Sequence, residues 1–280
     1  MNATTLSTKT APLCRLCLEP RPLARSHIIP RFFTEGGYQL RPTGKDGLLQ
    51  PFVDAMHTDP AIKLGRRQKG GWDSKLGTVQ YLLCEVCELR FSKLEDYVRR
   101  YFYGLTSPIR LQLPITPDPF FQIDYKTFKL FQLSVLWRAS EARGDFFTAV
   151  ELGEKHSERI RKMLLEENPG TEDDYACALY RMVATPEVEL LLRRHNTALE
   201  TGLFAPIASR QEGSRLYTFL FGGLGWTFCV TSGPLPAILQ HTYVKESGSF
   251  FLSSLNARNF LSHFSRKVVK TGNYPRPTEI

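Results

Sequence analysis

Four of the six cysteines stand as two CxxC pairs, Cys14 and Cys17 in CRLC and Cys84 and Cys87 in CEVC, with 66 residues between Cys17 and Cys84. In a cytosolic chain, thiols spaced this way are metal ligands or redox pairs far more often than structural disulfides. Two such pairs suggest one tetrahedral zinc site. The gap exceeds the roughly 15 to 20 residues of a compact zinc ribbon, so spacing by itself does not decide the matter. Cys177 and Cys229 stand alone.

Between the pairs the chain is rich in Gly, Pro, Arg and Lys and poor in long periodic runs, and GGYQLRPTGKDG and GRRQKGGWDSKLG both read as exposed loops. A segment with so little apolar periodicity needs a staple, and the free energy of zinc binding becomes folding free energy. After CEVC the pattern turns helical. Phe91, Leu94, Val98, Tyr101 and Phe102 recur at steps of three and four, and the helix should end near Gly104.

Residues 107–119, SPIRLQLPITPDP, carry four prolines and read as a linker. Beyond them, apolar residues at 128, 131, 135 and 139 and the stretch KHSERIRKMLLEE predict two helices, while RLYTFLF and WTFCVTS joined by GGLG predict a hairpin. The expectation is an α+β protein: a lead-in over 1–12, a zinc-stapled unit over 13–106, the linker, a mixed helix and strand unit over 120–272, and a tail over 273–280.

Composition, 42% hydrophobic and 23% charged, is that of an ordinary globular chain. No apolar run approaches the roughly 18 residues that cross a bilayer, and MNATTLSTKTAP lacks the apolar stretch of a secretory signal. A cytoplasmic protein with no membrane partner is expected. The net charge of +8 is unevenly spread: residues 1–110 hold 17 Lys and Arg against 10 Asp and Glu, and residues 111–280 hold 19 against 18. A phosphodiester backbone would be drawn to the first third, because each phosphate neutralised releases counterions. A solvated basic face accounts for the charge equally well.

Nine residues after Cys17 comes Ser26-His27-Ile28-Ile29-Pro30-Arg31-Phe32-Phe33. Taken alone, His27 reads as a core or surface histidine; the neighbouring CxxC changes that. The order CRLC, SHIIP, then LLCEVCE opening a helix resembles the zinc-finger variety of the HNH (ββα-metal) endonuclease family. That family's usual pattern is CxxC, a residue followed by HxxP, an Asn, then CxxCH. The likeness covers roughly residues 14–103. SHIIPRFF, LLCEVCELRFSKLE and LFQLSVLWRAS also look like a group of uncharacterised bacterial HNH-like proteins.

The resemblance implies that His27 is the general base and that Cys14, Cys17, Cys84 and Cys87 hold structural zinc, while Mg²⁺ or Mn²⁺ serves the reaction. The chemistry suits the residue: a neutral imidazole with a reference pKa near 6.5 accepts a proton from water near neutral pH. Glu88 falls where the family places its last histidine. A carboxylate there suits a hard cation, and the positive end of the helix dipole explains an acidic residue equally well. Glu95, about 10 Å further along the helix by its rise, reads as a surface or pairing residue. Two positions depart from the pattern. Ser26 stands where the family has an acid or a histidine, and Gln80 lies near the place of its Asn. His57 or Asp54, in PFVDAMHTDP, is of a residue type that could complete the ion's ligand set, and neither is counted among the site residues.

For phosphate contact the chain offers Arg25, Arg31, Arg66, Arg67 and Lys69, with Trp72 as a stacking face; such Gly-rich basic loops are also simply exposed. The expected partner is DNA, with RNA open. Beyond residue 120 His156, His195, His241 and His263 are scattered and form no catalytic set, and Trp137 and Trp226 read as core. Target choice, a homo-oligomer contact, a partner protein or regulation all remain open for that part. Three readings follow: a metal-dependent DNA endonuclease, with defence against foreign DNA as one setting; a non-catalytic zinc module that binds nucleic acid or protein; and an RNA-directed or toxin-like effector.

Overall fold

The computed structural model describes residues 11–33, 39–42, 49–52, 79–103, 120–143, 145–186, 188–190, 203–231, 235–236 and 242–257. Among them the first third supplies strands β1 (Leu23–His27), β2 (Gln39–Pro42), β3 (Leu49–Phe52) and β4 (Val79–Cys84), followed by helix α1 (Glu85–Tyr103). The rest supplies β5 (Phe120–Gln122), α2 (Tyr125–Glu141), α3 (Gly153–Leu165), β6 (Cys177–Val183), β7 (Leu203–Gln211), β8 (Ser214–Phe221), β9 (Leu224–Val230), β10 (Ser249–Phe251) and β11 (Ser253–Asn256). The class is mixed α and β, as the sequence predicts.

Each helix follows from its residues. In α1, Glu85 and Glu88 lie in the first turn and Arg100 in the last, where the helix dipole favours those signs. The helix buries Phe91, Val98 and Phe102, spaced for a single face. At the start of α2 the Asp124 carboxylate accepts from the Thr127 amide at 3.2 Å, an N-cap that satisfies one otherwise orphaned donor. From Phe128 to Ala139 every residue of α2 is buried, which makes it an interior helix enclosed on all sides. The third helix is amphipathic and buries Ile160, Met163 and Leu164.

Seven strands form one mixed sheet in the order β11-β6-β9-β8-β7-β2-β3; β11 runs parallel to β6 and β2 parallel to β7, with the other neighbours antiparallel. The predicted hairpin is β8 and β9, closed by Gly222 and Gly223 at φ of 62° and 71°. Two successive positive φ values suit the right-handed twist of the flanking strands and are adopted at low cost by glycine alone. Two smaller antiparallel pairs, β1 with β4 and β5 with β10, complete the strands.

One expectation is corrected here. GGYQLRPTGKDG contains a strand, Gln39–Pro42, which bonds to β3 on one side and β7 on the other. Its pairing with β7 is non-local and leaves no signature in the local sequence. Among the described strands β3 lies at the sheet's edge, a position that tolerates a proline such as Pro51.

The 107–119 segment, most of the 1–12 lead-in and the 273–280 tail lie outside the described residues. On either side of 107–119, one buried hydrophobic cluster runs from Cys14 to Leu252. Phe33 shows how it is joined: its ring lies 4.8 Å from Phe221 and 5.9 Å from Trp226 of the sheet, and 6.2 Å from Phe131 of α2. Trp137 and Trp226 are core residues, as expected. Among the described residues no helix is long and apolar enough to cross a membrane.

Candidate functional site

The first cysteine pair sits on a tight turn. Cys14 donates its amide to the Glu19 carbonyl at 2.9 Å, Leu18 donates to the Cys14 carbonyl at 2.9 Å, and Leu18 takes a φ of 61°. The Arg15 amide bonds the Leu82 carbonyl at 2.9 Å and ties this turn to β4. Cys84 closes β4, and Cys87 falls in the first turn of α1. The four Sγ atoms thereby come within 4.8 Å of one another, with Cys17 and Cys84 at 4.0 Å. A tetrahedral zinc with bonds of about 2.3 Å requires sulfur atoms about 3.8 Å apart. The set fits a metal ion such as zinc.

Its electrostatics are those of a cation site. Burial pushes the Cys14 thiol up, but amide donors from Cys17, Cys84 and Leu16 outweigh it and leave the group below its usual value; the Cys84 amide lies 3.3 Å from its sulfur. Burial holds Cys17 and Cys87 above their usual values, reinforced by the Cys14 thiolate. Four clustered thiols cannot all ionise unless a cation compensates them, so zinc would displace the remaining protons.

Beside this centre, the turn after β1 and the first turns of α1 frame a second group of residues. Ser26 is wholly buried, and its hydroxyl accepts from the Leu83 amide at 3.2 Å and bonds the Glu88 carboxylate. Burial raises the Glu88 pKa, offset in part by Ser26 and by Arg138, and its Oε1 is buried with no hydrogen-bond partner. His27, the next residue, is partly buried; burial lowers its pKa, and the charges of Arg138, Arg31 and Arg25 lower it further. Both effects favour the neutral imidazole over the charged one.

Arg138 reaches this place from α2. Its side chain is 0% exposed, and Nη1 lies 2.8 Å from Glu95 Oε1 and also donates to the His27 carbonyl oxygen. Nε donates to the Ser134 carbonyl at 3.2 Å, and the guanidinium carbon lies 5.3 Å from the centre of the Phe91 ring. Glu95 is thus the pairing residue its position predicts. Arg138 escapes sequence reasoning. Its one signal is a lone permanent charge inside the otherwise apolar run of LSVLWRAS.

Gln80, aligned with Ser26 across the strand pair, exchanges two bonds with the Arg143 backbone: Nε2 donates to the carbonyl at 2.7 Å and Oε1 accepts from the amide at 2.8 Å. It fastens the end of α2 to β4. Arg25 and Arg31 are exposed on the flank of His27. Arg66, Arg67, Lys69, Trp72, Asp54 and His57 lie outside the described residues, as do His195, His241 and His263. His156 does have a partner, with Nδ1 3.0 Å from the Tyr175 hydroxyl. Comparison with protein-family models, curated proteins and solved structures finds no match.

Proposed function

We propose that this chain is a metal-dependent HNH-type endonuclease that hydrolyses phosphodiester bonds of DNA, with β1, β4 and α1 as its ββα-metal unit. The observation that carries the reading is one arrangement: an antiparallel strand pair and the helix that follows it, joined at a four-thiol centre, hold a neutral histidine and a buried carboxylate with an unsatisfied oxygen. Ser26 and Glu88 touch at the two positions where the resembled family binds its catalytic ion, and Glu88 Oε1 is a hard oxygen donor suited to Mg²⁺ or Mn²⁺. Such an ion, when bound, supplies positive charge for the developing phosphorane and leaving oxygen.

The chain's own residues do the rest. His27 takes a proton from water as the water oxygen bonds to phosphorus and the ester P–O bond breaks. Arg25 and Arg31 bring positive charge to the side from which a phosphate backbone would approach. Defence against foreign DNA is one setting for such an activity.

The second reading, a zinc scaffold that binds nucleic acid or protein without cutting it, is favoured by two residues. Ser26 already accepts from the Leu83 amide, and Gln80 is committed to the Arg143 backbone. Plasmid nicking across a series of divalent ions separates the readings. Wild type should nick with Mg²⁺ or Mn²⁺, and Glu88→Ala should lose activity that high ion concentrations partly restore, because mass action offsets a weakened site. A protein that cuts neither DNA nor RNA with any ion is the scaffold.

A further inference from the structure

We propose that Arg138 of α2 is the positioning residue of the His27 site, its guanidinium tying the end of β1 to α1 through the His27 carbonyl oxygen and the Glu95 carboxylate together. The inference rests on the nuclease reading for the role of His27, and on geometry for the rest. Arg138 lies outside the 14–103 stretch that carries the zinc-knuckle pattern, in the LFQLSVLWRAS run, whose likeness to uncharacterised proteins assigns it no role. It brings to the site a part of the chain for which the sequence suggests no chemistry.

The geometry is specific. Among the described residues the β1–β4 ladder ends at His27, opposite Val79. The strand end is held by Arg138, which donates to the His27 carbonyl oxygen. The same nitrogen reaches Glu95 Oε1 at 2.8 Å, while Nε and Nη2 are spent on Ser134 one turn back, at 3.2 Å from its carbonyl and 3.4 Å from its Oγ. Ser134 therefore sets the angle of the fork, and Phe91 of α1 covers its face.

Only a planar fork of donors serves a backbone carbonyl, a carboxylate and a helix oxygen from one buried point; a lysine ammonium is a single charge that cannot span them. A buried ion pair is poor evidence of stabilisation, and its best-attested use is to fix register. Here the register fixed is that of the His27 strand against the helix bearing Glu88. The same guanidinium, with Arg25 and Arg31, presents positive charge to His27, while the Glu88 and Glu95 carboxylates interact with the guanidinium itself.

The test uses the full zinc-loaded chain, ¹⁵N-labelled, with the His27 ring resonances identified by their loss in His27→Ala. Arg138→Gln should shift or broaden those resonances and lower kcat for plasmid nicking about 100-fold, the scale of an ångström's misplacement, with KM little changed and zinc retained. Arg138→Lys should fall between Gln and wild type. Should Arg138→Gln fail to fold because the partly buried Glu95 loses its partner, the double variant Arg138→Met with Glu95→Met removes both charges and the donor to His27 together. It should reproduce the ring shift and the loss of kcat. Ring resonances and kcat like wild type in the double variant overturn the proposal. If wild type cuts nothing, the nuclease reading fails by itself, and the ring resonances alone decide whether Arg138 places His27.

Discussion

Replacing Cys84 and Cys87 with Ser is expected to abolish zinc binding and to unfold the region around β1, β4 and α1. Structural zinc contributes about 10–16 kcal/mol of apparent binding free energy near pH 7, while whole domains are stable by only about 5–15 kcal/mol. The loss exceeds what local packing could make good. The first knuckle is otherwise held by few bonds, among them Arg15 amide to Leu82 carbonyl and an Arg161 guanidinium contact to the Leu16 carbonyl. Elemental analysis should find one zinc per wild-type chain and none in the double variant, and circular dichroism should show a melting transition lowered or lost. A variant that keeps both its zinc and its melting temperature would remove the four-thiol centre from the account.

His27→Ala is expected to lower metal-dependent cleavage by about 10² to 10⁴, the usual contribution of a positioned general base, with zinc content and DNA affinity retained. The pH profile supplies a second reading of the same residue. Burial, and then the charges of Arg138, Arg31 and Arg25, hold the imidazole below its ordinary 6.5, so the acid limb of the rate should lie below pH 6.5. Stability should follow the same group. On acidification the unfolded chain binds its proton first, so the contribution of His27 is complete above about 6.5 and is lost as pH falls through the folded value. Nicking rates and thermal melts of wild type and His27→Ala across this range test both. An unchanged rate in His27→Ala means the base has been misassigned.

The four-cysteine cluster and the helix after it were legible in the sequence because both are written locally. CxxC fixes ligand spacing within a turn, and the three- and four-residue steps from Phe91 to Phe102 announce α1. The β8–β9 hairpin was legible for the same reason, through two adjacent glycines. What the sequence hides is whatever depends on distant partners. Nothing in Gln39–Pro42 indicates that β7, some 160 residues later, will pair with it. Gln80 looked like a displaced family Asn until Arg143 claimed both ends of its amide. Arg138 was one charge in an apolar helix, and its meaning lies in a carbonyl 111 residues away.

The enclosed position of α2 also sets an order of events during synthesis. All four clustered cysteines are made before α2, and Arg138 follows Cys87 by 51 positions, about 3 to 10 seconds of elongation at about 5–20 residues per second. During that interval zinc can gather β1, β4 and α1, while Phe91, Val98 and Phe102 still lack the helix that buries them. The end of β1 is latched only when Arg138 arrives, so zinc at the four thiols would be bound before that strand end is fixed. The strand that ends at His27 is therefore fastened late, by a residue of a helix that is translated after all the cysteines of the four-thiol cluster.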